Sequence, residues 1–163
     1  MIRYPAPTMR HIIGILLQNE SGALIRVAGL FSNRGYNIES LSVAPTPDPT
    51  VSRITLVTTG SDATVQQIVS QLNKLVDVVG VQYMTGGAHI ERELVLVRLQ
   101  PRDRERVLAV VQAAGGRVLT SHGDTLSVEV TGIESSLDAV LQELREHAVL
   151  DAVVRSGTLG LPG

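Results

Sequence analysis

Asn19-Glu20-Ser21-Gly22-Ala23-Leu24, running on through Phe31 to Gly35-Tyr36-Asn37-Ile38-Glu39-Ser40, is the stretch from which the rest of the chain can be placed. It follows an almost unbroken apolar run, His11 to Leu17. A short apolar run bounded by turn residues reads as a strand buried on both faces. Leu24, Val27, Ala28 and Phe31 then recur at i, i+3, i+4 and i+7, one stripe of a helix. Ser21 is the expected N-cap and Gly35 the stop. Asn19 and Asn37 stand at the two hinges of this strand–helix–strand unit.

Working outward, a second strand is expected from about Tyr36 to Ala44, and Pro45, Pro47 and Pro49 stiffen a connection that cannot be strand interior. Val51–Thr59 is rich in β-branched residues and reads as a third strand. Gly60-Ser61-Asp62 opens a helix with Val65, Ile68, Val69, Leu72 and Leu75 on one face, and Asp77–Tyr83 is a fourth strand. After Gly86-Gly87 the order repeats. Glu91–Gln100 is a strand, Pro101 suits a first helical turn, and Val107, Val110, Val111 and Ala114 form the buried stripe before Gly115-Gly116. Arg117–Ser121 and Thr125–Thr131 make a hairpin around His122-Gly123-Asp124. A helix carries Leu137, Val140, Leu141 and Leu144, and Val149–Arg155 closes the second unit.

Two βαββαβ units predict an α+β chain of two ferredoxin-like domains, residues 9–85 and 86–163, each a four-stranded antiparallel sheet with two helices on one face. Residues 1–8 are expected to be a disordered tip. The second domain carries Gln100-Pro101-Arg102-Asp103 where the first carries the Asn19 turn, so any ligand site there is asymmetric between the halves. Ile12 and Leu16 lie on the face of the first strand opposite Ile13, Ile15 and Leu17. Something must cover that second face, the other domain or another chain, and on this ground a homo-oligomer is expected.

Composition narrows the function. The 163 residues are 44% hydrophobic but only 2% aromatic, which removes the usual stacking platforms for bases and sugars. A net charge of −2 gives no basic excess to displace counterions from phosphates, so no nucleic acid is expected as partner. No apolar run approaches the ~20 residues that span a bilayer, the N-terminus has no signal-peptide pattern, and there are no cysteines. A cytoplasmic protein with no membrane partner is the expectation. No catalytic or metal-binding constellation stands out: His11, His89, His122 and His147 are scattered, and Ser121-His122-Gly123-Asp124 are neighbours in one turn rather than converging from separate elements. Glu91, Arg92, Glu93 and Arg98 read as a solvated or partner-facing surface.

What remains is the turn. It ends in a helix N-terminus, where unpaired N–H groups and the helix dipole favour a carboxylate. Gly22 permits close backbone approach, Asn19 offers both a donor and an acceptor, and Ala23 and Leu24 would floor a small apolar pocket. The same letters also suit an ordinary turn and cap with no ligand.

Arg10–Val27, Leu30–Leu41 and Val43–Thr46, with Leu72–Val78, Gly87–Glu93 and Ala152–Gly157, closely resemble the small, regulatory subunits of acetohydroxyacid (acetolactate) synthase. The resemblance implies an ACT domain followed by a second ferredoxin-like domain. It implies a homodimer through the ACT domain, with valine or another branched-chain amino acid bound at the interface by Asn19, Gly22, Ala23 and Leu24 of one subunit and Asn37 and Ile38 of the other. It also implies a catalytic large subunit that carries thiamine diphosphate, FAD and Mg²⁺, no cofactor and no catalysis on this chain, and feedback inhibition of branched-chain amino-acid synthesis. Ile25 departs from the pattern, standing where valine-sensitive bacterial relatives often have a small polar residue; it could narrow the pocket or shift it to leucine or isoleucine. The alternative is a stand-alone ACT-type sensor acting on another enzyme or a transcription factor.

Overall fold

The computed structural model describes residues 8–163, and the βαββαβ order is present in it twice. The first series is β1 (Met9–Gln18), α1 (Ala23–Asn33), β2 (Ile38–Pro45), β3 (Val51–Gly60), α2 (Asp62–Leu72) and β4 (Val78–Tyr83). The second is β5 (His89–Pro101), α3 (Arg104–Ala113), β6 (Arg117–His122), β7 (Thr125–Gly132), α4 (Glu134–His147) and β8 (Ala148–Arg155), followed by a short β9 (Leu159–Pro162). Apart from Thr8, the expected disordered tip lies outside the described residues. The sheets run β2-β3-β1-β4 and β6-β7-β5-β8, antiparallel throughout, with β9 paired to β5. This is the expected ferredoxin-like arrangement in each half. Two compact units result: the chain through Ile90 together with Gly160–Gly163, and Glu91–Leu159.

In the first unit the helix stripe and the strand alternation meet. Val27 and Phe31 of α1 and Val65, Ile68 and Leu72 of α2 pack on Ile13, Ile15, Leu17, Ile54 and Leu56 of the sheet. Ser61 caps α2 by accepting the Thr64 N–H at 3.2 Å. α1 stops where Gly35 turns left-handed at φ +70° and the Tyr36 N–H returns to the Phe31 carbonyl at 2.9 Å.

The opposite face of this sheet is divided. At one end Arg53 donates to Gln82 at 2.9 Å. At the other, Ile12, Val57 and Met84 form a small buried cluster. Its cover is Gly160, whose N–H donates to Thr55 Oγ1 at 3.2 Å. A Cβ on Gly160 would fall 2.8 Å from Met84 Cε and 2.9 Å from Ile12 Cδ1, so any larger residue would have to displace the ends of those side chains. Gly163 N–H is bonded to the Ala88 carbonyl at 2.8 Å. Ile12 on the second face of β1 therefore has its cover within the unit, while Leu16 on the same face is only half-buried.

The second unit departs from the sequence reading at two points. Pro101 is not in a helix: β5 continues through it to pair with Ala148, and α3 starts after Asp103, whose carboxylate accepts the Arg106 N–H at 3.0 Å. Glu93 is not surface either. It shares the buried face of β5 with Val95, Val97 and Leu99, and receives both Nε and Nη2 of Arg155, at 2.9 and 3.0 Å. Arg155 Nη1 reaches Asp138 at 2.6 Å, tying α4 to the same carboxylate pair. The apolar core around them is Leu126, Val128 and Val130 of β7 against α3 and α4.

Candidate functional site

Three hydrogen bonds fix the turn after β1. Gln18 N–H donates to the Asp77 carbonyl and Asn19 N–H to the Thr50 carbonyl, both at 2.8 Å. The Asn19 side-chain Nδ2 donates to the Pro49 carbonyl at 2.9 Å. One Nδ2 hydrogen of Asn19 thus binds this turn to the β2–β3 connection, and its second hydrogen and Oδ1 remain to face a ligand.

The helix start lies one residue later than expected. Gly22, not Ser21, is the N-cap, at φ +85° and ψ −11°, and no side chain caps α1. The chain must enter this helix through the left-handed region, which glycine does without a Cβ clash. Ala23 is packed in the core, so it can meet a ligand only through its backbone, whereas Leu24 is partly exposed. Ile25 stands 75% exposed beside it, an aliphatic side chain unusually open at the mouth of the turn.

Two residues that the sequence reading passed over complete the geometry. Arg26, on the first turn of α1, donates through Nε to Asp77 Oδ2 and through Nη2 to Oδ1, the latter at 3.0 Å. The Arg26 hydrogen bond holds the Asp77 carboxyl below the usual carboxylate range against the opposing effect of desolvation, and Asp77 in turn raises Arg26. A basic residue in a first helical turn with no acid beside it was the available signal.

Asn37 and Ile38 lie elsewhere. The Asn37 carbonyl accepts from Thr58 Oγ1 at 2.6 Å, and Ile38 pairs with Thr58, while Gln18 pairs with Val51 at the other end of β3. From Val51 to Thr58 is roughly 23 Å at ~3.3 Å per residue. Within one chain, Asn19, Gly22, Ala23 and Leu24 come together and Asn37 and Ile38 come together, but the two groups sit at opposite ends of the sheet. A cleft of about 600 Å³ between Met9, Val65, Val69 and Tyr83 includes none of the six.

The remaining chemistry is structural. His11 is fully buried; Nε2 is 3.0 Å from the Gly60 carbonyl and therefore carries the hydrogen, while Nδ1 lies 2.7 Å from the Tyr83 hydroxyl. Among the described residues no three His, Asp or Glu side chains stand close enough to hold a metal ion, and no helix is long and apolar enough to cross a membrane.

Comparison with known proteins places this arrangement. Residues 13–80 match the model of the AHAS small subunit-like ACT domain, and residues 92–163 match that of the small subunit of acetolactate synthase. The chain is 48% identical over 155 residues to the acetolactate synthase isozyme 3 small subunit of Salmonella typhimurium strain LT2, covering 94% of this chain and 95% of that one. Its identity to the corresponding protein of Escherichia coli K12 is 47%, with the same coverage. The crystal structure of the acetolactate synthase small subunit from Thermotoga maritima is similar at a TM-score of 0.87 and 28% identity, over 95% of this chain and 98% of that one. An ACT domain joined to a second ferredoxin-like unit defines a regulatory protein. The chain belongs to the family of acetolactate synthase small subunits.

Proposed function

We propose that this chain is the regulatory subunit of an acetolactate synthase. It activates a separate catalytic subunit and makes it sensitive to valine bound between two ACT domains. The thiamine diphosphate, FAD and Mg²⁺ of the reaction belong to the catalytic partner, and this chain contributes no reacting group. The observation that carries the reading is the separation of Asn19 from Asn37 along one sheet.

β2 is an edge strand, and on its helix-facing side Leu41 and Val43 are 36% and 43% exposed. A two-fold axis pairing β2 with its copy antiparallel would cover them and continue the sheet. It would set the start of one β2, with Asn37 and Ile38, against the end of the other. That end is where Pro45 pairs with Ser52, beside Val51 and the partner's Asn19 turn. A pocket impossible within one chain is thereby closed twice across the dimer. The α1 N-terminus meets the ligand carboxylate, Asn19 Oδ1 accepts from its ammonium, and Leu24, Ile25 and Ile38 surround its side chain.

Valine acts by population shift. Bound across the interface, it favours one arrangement of the two ACT domains, and it inhibits only insofar as that arrangement holds the catalytic subunit less active. Binding is reciprocal: by whatever factor valine changes the affinity for the catalytic subunit, the catalytic subunit changes the affinity for valine. The test is reconstitution: adding this chain to the catalytic subunit raises synthase activity, and valine then lowers it. An unchanged rate on both additions would remove the proposal. Valine binding without any effect on the synthase would instead favour a stand-alone sensor.

A further inference from the structure

The two units close the same corner of their fold in different ways. In the second, Arg155 at the end of β8 lies across from Val95 and turns its guanidinium to Glu93, two residues earlier on β5. Its Nη1 goes on to Asp138, five residues past the N-cap of α4, so one cation sits between a strand carboxylate and a helix carboxylate. In the first unit Tyr83 at the end of β4 lies across from Ile13 and turns its hydroxyl to His11, again two residues earlier. Gln66 stands five residues past the N-cap of α2, in the place of Asp138.

Tyr83 does not fill that corner. What is left is the cleft of about 600 Å³ between Met9, Val65, Val69 and Tyr83, with Asp62 and Gln66 also on its wall. Sites for small molecules run from about 300 to 1,000 Å³, mostly apolar with a few placed polar groups, and this cleft has that size and character. The His11 Nε2 hydrogen goes to Gly60, so Nδ1 takes the Tyr83 hydrogen and the Tyr83 oxygen remains an acceptor. Asp62 brings the one formal charge among the lining residues. Its carboxylate is 72% exposed, and its Oδ1 is 3.9 Å from His11 Nε2, beyond hydrogen-bond reach. A corner that holds a cation between two carboxylates in one unit thus offers an anion and no cation in the other.

We propose that this cleft binds a small organic cation, a guanidinium or ammonium carried on an apolar stem. The stem lies against Met9, Val65 and Val69, and the head meets the Asp62 carboxylate and the Tyr83 oxygen, the pairing that a cation leaving water requires. Asp62 repels a carboxylate head, so free amino acids are poor ligands here. The site shares no residue with the Asn19–Leu24 turn or with Asn37 and Ile38, and it stands whether or not those bind an effector.

Titration of the full chain with n-hexylguanidinium, followed by the methyl NMR signals of Met9, Val65 and Val69, tests this. The uncharged and anionic controls of the same stem are n-hexanol and hexanoate. Hexylguanidinium should shift those signals and bind about tenfold or more tighter than either control. Asp62→Asn should remove that advantage while leaving hexanol unaffected. Gln66→Asp, which restores the helix carboxylate of the second unit, should tighten hexylguanidinium further. Val69→Phe should fill the cleft and abolish binding with the thermal midpoint kept; should that variant not fold, the Asp62 and Gln66 variants decide. Hexanol binding as tightly as hexylguanidinium would make the cleft an apolar void and overturn the proposal. So would tighter binding of hexanoate, an Asp62→Asn chain that binds hexylguanidinium like wild type, or a wild-type chain whose three methyl signals do not move.

Discussion

Substituting Gly22 separates the shape of the proposed effector turn from its charge. At φ +85° an alanine costs about 1–2 kcal/mol for the left-handed conformation. Its Cβ would press on Arg26 Nη1 from 3.1 Å, and that flexible group must yield by a few tenths of an ångström. Removing glycine's freedom in the unfolded chain returns about 0.4–1 kcal/mol. The net loss is about 1 kcal/mol, or roughly 4–8 °C in the midpoint of a unit this size, read by circular dichroism on the full chain. Gly22→Asp takes the same backbone cost but places a carboxylate beside Arg26 Nη1, so it should be no less stable than Gly22→Ala. That carboxylate would occupy the position proposed for the ligand's own. Calorimetry should show valine binding weakened in Gly22→Ala and abolished in Gly22→Asp, with activation of the catalytic subunit kept in both. Equal valine affinity in the two variants would refute the electrostatic reasoning, and an unchanged midpoint in Gly22→Ala would refute the backbone strain.

Other expectations concern the frame around the site. A Cβ on Gly116 would lie 2.6 Å from the Glu129 carbonyl oxygen and 2.8 Å from Val130 Cγ2, and the backbone of β7 cannot give way; Gly116→Ala should cost about 1–3 kcal/mol in thermal unfolding without altering valine affinity. Arg155→Met strands the buried Glu93 carboxylate and should cost about 3–5 kcal/mol, most of it regained when Glu93→Leu is added, as a double-mutant cycle in urea would show. Asp77 has its carboxyl lowered by Arg26, so its stabilisation is complete above the ordinary carboxylate value of about 3.9 and is lost as pH falls through the lower, folded value. Stability curves of wild type and Asp77→Asn should therefore differ at neutral pH and converge in acid.

The repeated βαββαβ pattern could be read because each element announces itself locally. Val27 and Phe31 recur at helical spacing, and Leu126, Val128 and Val130 alternate with polar residues. Glu93 was legible too, since it shares its phase with Val95, Val97 and Leu99, but a charge at a strand edge suggests solvent until Arg155 is seen opposite it. Pro101 suits a first helical turn and a strand end alike, and Asp103 decides between them only through its side-chain bond. The Arg26–Asp77 pair joins residues distant in sequence and depends on the α2–β4 turn returning to α1. β9 had no signal at all: Leu159-Gly160-Leu161-Pro162 has no periodicity worth reading, and its place follows from how closely Gly160 can approach Met84.

That approach bears on how the protein is made. The chain leaves the first unit after Ile90 and returns to it only at Gly160. On the ribosome, Ile12, Val57 and Met84 are translated early, yet their cover does not exist until Glu91–Leu159 have been added, roughly 3–14 s at about 5–20 residues per second. For that interval a nascent ACT domain presents an apolar face, open to a chaperone or to a neighbouring nascent chain on the same message. The ACT domain is the first to begin folding and the last to finish.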